Sequence, residues 1–245
     1  MYCKSPSLRT TLTYTAMRAL IGLVLILFLS AGFISSCYAH GVSDGDALFI
    51  QQASGLQLFP FAYLGAKHML TGYDHLLFLT GVIFFLYKMK EVCIYVTLFA
   101  ISHSATLLYG VLSEVQVNAY IIDAIIGFSV VYKALDNLGA FRRWFGFQLN
   151  TKAAVTVFGL FHGFGLATKL QDFTLPEEGL VANILAFNVG VELGQLMALA
   201  AILILMNVWR KTDDFARQAY SANILLMSAG FVLIGYQLTG YFTLS

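Results

Sequence analysis

Apolar residues in this chain come in long blocks, and the polar positions that interrupt them fall mostly at the block ends. Runs near 73–88, 92–112, 118–136, 153–170, 180–208 and 219–243 each come close to the roughly 20 apolar residues that a helix needs to cross a bilayer. They predict an all-α fold, a polytopic bundle of about six transmembrane helices in a single domain. The stretch from Gly55 to Leu70 is apolar too, but it is shorter and is interrupted by Pro60, Gly65, Lys67 and His68. That length suits a short interfacial or re-entrant segment, placed at 56–71, better than a full span.

Ahead of these runs, residues 1–39 follow the grammar of a secretory signal peptide: basic Lys4, Arg9 and Arg18, an apolar stretch from Ala19 to Ile34, then Cys37 and Ala39 before His40. The mature domain would be 40–245. An uncleaved anchor helix and a lipoprotein signal acylated at Cys37 are the alternatives left open by the same residues.

Charge orients the bundle. Counting outward from a cleaved leader, the loops at 88–91, 133–152 and 209–218 fall on one side and contain Lys88, Lys90, Lys133, Arg142, Arg143, Lys152, Arg210, Lys211 and Arg217. Only Lys67 and Lys169 fall on the other. The excess of Lys and Arg marks the cytoplasmic side, which puts the mature N-terminus and the C-terminus outside an inner, cytoplasmic membrane. Had residues 56–71 made a crossing of their own, every later loop would change sides. Trp144, Trp209, Tyr87, Tyr220 and Tyr241 lie near predicted helix ends, as interfacial anchors do.

Composition agrees: 59% of the 245 residues are hydrophobic and 11% charged, for a net charge of +1, where about 25% charged is usual in soluble domains. The lipid bilayer is therefore the expected surrounding, and no basic stripe points to a nucleic acid. Cys3, Cys37 and Cys93 form no CxxC pair, so neither a disulfide framework nor a thiolate metal cage is expected.

The informative residues are the polar ones within the apolar runs. Gly65 to Phe78 reads GAKHMLTGYDHLLF, with Asp74 and His75 side by side, and an ionisable residue in such a place marks function by default. All five histidines, His40, His68, His75, His103 and His162, lie outside the cytoplasmic loops. His103 sits in ISHSAT between Ser102 and Ser104, and His162 in FHGFGLA among small residues that admit a neighbouring helix. Asn188, Glu192 and Gln195 recur at helical spacing and share one helix face. A buried Glu192 with no basic partner must be protonated, hydrogen-bonded or metal-bound. The expected metal set is His68, Asp74, His75, His103, His162 and Glu192, with His40, Asp123, Ser102, Ser104, Asn188 and Gln195 in weaker or supporting positions. Imidazole and carboxylate without thiolate suit nickel, cobalt, zinc or ferrous iron, and ligand type does not choose between them.

In this order and spacing, GAKHMLTGYDHLLF, ISHSAT, AIIGFSVVYKALDNL, FHGFGLA and FNVGVELGQL resemble the HupE/UreJ family of bacterial membrane proteins, in its broader second branch, over residues 65–205. The resemblance implies a permease for nickel, in some members cobalt, whose HxxxGxDH motif, here His68, Asp74 and His75, handles the ion together with His103 and His162. Where many members carry a glutamate in the third span, this chain has Asp123.

Three functions are compatible with these residues. A secondary carrier would take up the divalent ion from the periplasm as its substrate and hold no permanent cofactor; the chain has no P-loop for ATP. An intramembrane metal-dependent hydrolase would keep the ion and activate water. An assembly factor would use the same groups only to join helices.

Overall fold

The computed structural model describes residues 55–148, 150–171 and 178–244. The leader reading, its alternatives and His40 lie outside those residues. Eight helices, and no strand, occur among the described residues: α1 Leu58–Thr71, α2 Tyr73–Ile83, α3 Met89–Leu112, α4 Ala119–Asn137, α5 Ala140–Phe145, α6 Thr151–Gln171, α7 Leu180–Trp209 and α8 Phe215–Leu244. Four of them, α3, α6, α7 and α8, are long and apolar enough to cross a membrane by length and composition. Much of the outer face of the bundle is apolar as well. Leu185, Val189, Leu193 and Met197 on α7 and Phe231, Val232 and Phe242 on α8 are all exposed, the inverse of a water-soluble surface.

The two remaining long elements depart from the simple span for physical reasons. α4 has 19 residues but carries Asp123, Lys133 and Asp136, and it meets this cost by pairing. Lys133 Nζ donates to Asp136 Oδ2 at 2.6 Å, and Lys169 on α6 reaches Asp123 at 2.8 Å. Lys133, expected in a cytoplasmic loop, is therefore buried inside α4.

α1 and α2 form one interrupted passage. At one end, the Gln57 backbone N–H donates to Asn183 Oδ1, at the start of α7. At the other, the carbonyls of Ile83 and Phe84 accept from the Arg210 guanidinium, just past the end of α7. α1 thus runs beside the first half of α7, while α2, beyond the break at Gly72, packs chiefly against α4 and its end meets Arg210. The helices have 14 and 11 residues, about 37 Å at 1.5 Å per residue, enough for a hydrocarbon core of about 30 Å. α1 covers most of the 56–71 segment expected to be interfacial or re-entrant, and α1 and α2 are each shorter than a full span.

Close packing between helices rests on small residues. α1 lies parallel to the first half of α7, where a Cβ at Gly190 would overlap the backbone of Ala62 and one at Gly65 the backbone of Phe187. α3 and α6 are also parallel, with Gly159 against Ser102 and Gly163 against Thr106. Thr106 Oγ1 donates across this seam to the Leu160 carbonyl at 2.9 Å. α4 and α8 run antiparallel, Gly230 against Gly127 and Val131, with Asn137 donating to Asn223 at 2.9 Å. All the basic loops, from Lys88 and Lys90 through Arg142, Arg143 and Lys152 to Arg210, fall at the end where α2 terminates, here called the basic end.

Candidate metal site

The break at Gly72 puts chemistry in the middle of the bundle. The Gly72 N–H donates to the His68 carbonyl at 3.0 Å, closing α1, and its extended backbone (φ −75°, ψ 104°) redirects the chain into α2. Asp74 falls in the first turn of α2, where a carboxylate is favoured by the unsatisfied N–H groups and the helix dipole. A side chain at residue 72 would strike this arrangement, since a Cβ there would lie 2.6 Å from His75 Nδ1 and 3.1 Å from Asp74 Oδ1.

Asp74 and His75 are almost completely buried, at 1% and 4% exposure, and His75 Nδ1 lies 2.9 Å from Asp74 Oδ1. With a carboxylate oxygen as its neighbour, Nδ1 is assigned the proton, which leaves the lone pair on Nε2. Opposite it stands His162, midway along α6. Its Nδ1–H donates to the Phe158 carbonyl one turn earlier at 2.8 Å, so its Nε2 also has the lone pair, and this buried nitrogen meets no hydrogen-bond partner among the described residues. The two rings are 4.9 Å apart, centre to centre. Ligand atoms of Asp74, His75 and His162 all lie within 4.8 Å of one another, the geometry of a group able to hold a metal ion. Imidazoles whose second nitrogen is tied to a carboxylate or a backbone carbonyl are the usual arrangement of metal-binding histidines, because the tie fixes both tautomer and ring direction.

His68, in the last turn of α1, stands edge-on to His75 at 5.1 Å and is only half-buried. It is the least buried of the histidines in this part of the bundle. His103 is fully buried on α3, stacked at 5.9 Å on Phe99, which in turn packs on His162 at 5.0 Å. It adjoins the trio without belonging to it.

Other expected residues are not brought to this centre. Glu192 lies on the exposed face of α7, because the buried arc of that helix runs through Asn188, Val191 and Gln195 and position 192 falls beyond its edge. Asp123 is held by Lys169 at 3.0 and 2.8 Å, near the end of α6 opposite the basic end, which makes it a structural ion pair. Ser102 turns its hydroxyl back to the Leu98 and Phe99 carbonyls at the seam with α6, and Ser104 is half-buried. Asn188 and Gln195 do point inward and are buried.

Two features escaped sequence reasoning. The Gly72 break is legible only as a glycine between two histidines. The Lys133–Asp136 pair is a buried knot near the basic end, where Asp136 also accepts from Gln148 at 3.2 Å and lies 3.4 Å from the Thr151 hydroxyl. Its signal was a Lys and an Asp three residues apart in an apolar run.

An all-helical bundle with four helices apolar enough to cross a membrane, an apolar exterior and a buried histidine and carboxylate centre has the make-up of a membrane protein. The family described as HupE / UreJ protein matches residues 44–245, and the chain belongs to that family. Neither a curated protein nor a solved structure matches it.

Proposed function

We propose that this protein carries a divalent transition metal ion, nickel or cobalt, across the bacterial inner membrane, with Asp74, His75 and His162 as the loading site. The observation that supports this most directly is the pair of oriented imidazoles, 4.9 Å apart and fixed by Asp74 and by the Phe158 carbonyl. Two neutral nitrogen donors and one carboxylate leave a bound dication with a single positive charge, which eases its stay in an apolar surrounding. Such a donor set suits borderline metals over calcium or magnesium, which prefer oxygen alone.

The broken passage gives the ion a way in. Interrupted helices around a mid-membrane site are the common architecture of secondary carriers, and backbone breaks are tolerated where they line a polar site inside the protein. His68, half-buried beside His75, receives the ion and passes it inward. The concentration of Lys and Arg at the other end supports loading from the periplasm.

Hydrolysis finds less support. Glu192, expected from the sequence as a metal ligand, is exposed on α7 and so gives the centre no second carboxylate to act as a general base. The deciding experiment is uptake of radioactive nickel by cells expressing the protein. Accumulation above the vector control, abolished by His75→Ala at equal protein level, supports the reading, and equal accumulation by the variant refutes it.

A further inference from the structure

Between α4 and α6 the chain builds a small platform that the metal centre does not use. α5, Ala140–Phe145, is bounded by Gly139 and Gly146, both at positive φ (69° and 77°), a conformation glycine adopts without steric cost. The segment is tied down on either side. Ala140 is buried, and Phe141 packs on Tyr132 of α4 with ring centres 5.1 Å apart. Just past α5, Gln148 donates to the buried Asp136 carboxylate at 3.2 Å.

Between these ties the side chains face outward. Arg142 and Arg143 are exposed, and so are Trp144, Phe145 and Phe147, at 63%, 61% and 56%. The rings lean on one another, Trp144 and Phe145 at 6.4 Å and Phe145 and Phe147 at 6.1 Å, which makes one apolar patch. The charge beside it is uncompensated. From Asn137 to Leu170 the sequence contains no Asp or Glu. Lys88 faces Glu91 and Arg217 faces Asp214 elsewhere at the basic end, but Arg142, Arg143 and Lys152 make no ion pair among the described residues. The Arg143 guanidinium donates to the Leu138 carbonyl at 3.2 Å, which leaves its charge unneutralised.

Exposed rings beside unpaired arginines match the boundary between lipid headgroups and acyl chains, where aromatic rings settle and guanidinium forks meet phosphate oxygens. Position favours lipid over a soluble acidic protein. α6, long and apolar enough to cross a membrane, begins at Thr151, so the platform is held at the mouth of a span, where phospholipid is the nearest anionic surface.

We infer that residues 142–147 form a recognition platform for anionic phospholipid in the leaflet at the basic end. Arg142 and Arg143 engage the headgroup phosphates, and Trp144, Phe145 and Phe147 sit at the top of the acyl chains. The Lys133–Asp136 knot supports the platform by holding Gln148. This inference is independent of the transport reading and needs only that α6 crosses the membrane.

The test uses the full-length protein in phosphatidylcholine vesicles in which a fixed minor fraction is dibrominated phosphatidylglycerol or, in parallel, dibrominated phosphatidylcholine. Trp144 and Trp209 are the two tryptophans of the chain, so Trp209→Phe makes Trp144 the sole reporter of quenching by adjacent bromines. The difference between wild type and Trp144→Phe gives the same quantity should Trp209→Phe not fold. Brominated phosphatidylglycerol is expected to be preferred at least about fivefold, the gain from one well-placed basic residue, and the preference is expected to shrink in high salt. Arg142→Gln/Arg143→Gln is expected to bring it within about twofold of unity, while Arg142→Lys/Arg143→Lys keeps most of it, which a merely structural role for the Leu138 contact does not. Equal quenching by the two lipids, or a preference unchanged in the glutamine variant, overturns the inference. So does quenching by aqueous acrylamide but by neither lipid, the mark of a surface open to a soluble partner, and so does protection from both, the mark of cover by a second copy of the chain.

Discussion

His75 and His162, from helices separated along the chain by α3, α4 and α5, present their rings to each other at 4.9 Å, each with its Nδ1 already engaged. On the proposed metal-site reading, replacing either residue leaves the other with half a site. His75→Ala and His162→Ala are each expected to weaken Ni2+ affinity by more than about 100-fold, beyond the 10–100-fold typical of supporting residues. Isothermal titration of the purified variants measures this, and a change below about tenfold in either counts against the pair as ligands.

Gly72 is held to glycine by His75. A methyl group there would lie 2.6 Å from Nδ1, closer than van der Waals contact allows, so the ring must turn away. Gly72→Ala is expected to lower Ni2+ affinity about 10–100-fold while thermal stability changes little, since the backbone at this position is allowed for alanine. Titration and a melting curve on the same preparation separate the two effects.

The Lys133–Asp136 pair predicts an asymmetric response. Lys133→Met alone leaves the buried Asp136 carboxylate without its cation, at an expected cost of about 3–5 kcal/mol. Adding Asp136→Leu removes the orphaned charge and is expected to recover most of that loss, because apolar replacements of buried ion pairs are often neutral. Denaturation of the single and double variants in detergent compares them, and a double variant less stable than the single would contradict the argument.

Asp123 tests whether every intramembrane carboxylate serves the metal. It is bound by Lys169, towards the end of the bundle opposite the basic end, so Asp123→Asn is expected to leave Ni2+ affinity within about twofold, where Asp74→Asn lowers it by at least about tenfold. Parallel titrations decide, and a large loss in Asp123→Asn would draw that residue into the ion's path.

The helices α3, α6, α7 and α8 were legible because their apolar runs exceed the thickness of a bilayer, and length alone identifies such segments. The histidines were legible as a group because imidazole is rare in such runs. What sequence could not supply was direction around a helix at the edge of its buried arc. Asn188, Glu192 and Gln195 share a face by spacing, yet packing against α1 and α3 buries the first and last and leaves Glu192 outside. Pairing was hidden for a similar reason. Asp123 and Lys169 are remote in sequence, and only the approach of α4 to α6 joins them. For α1, shortness spoke for an interfacial or re-entrant helix, and a helix of 14 residues is what folds there.

The break at Gly72 also has an electrical consequence. On the transport reading proposed above, a dication held by Asp74, His75 and His162 would rest about halfway along the bundle and would have crossed about half of the membrane potential. In the orientation that the basic loops favour, a potential of 100 mV then adds about 2.3 kcal/mol to its binding, from two charges over half the field. An energised membrane would fill this site at metal concentrations some fiftyfold lower than a depolarised one.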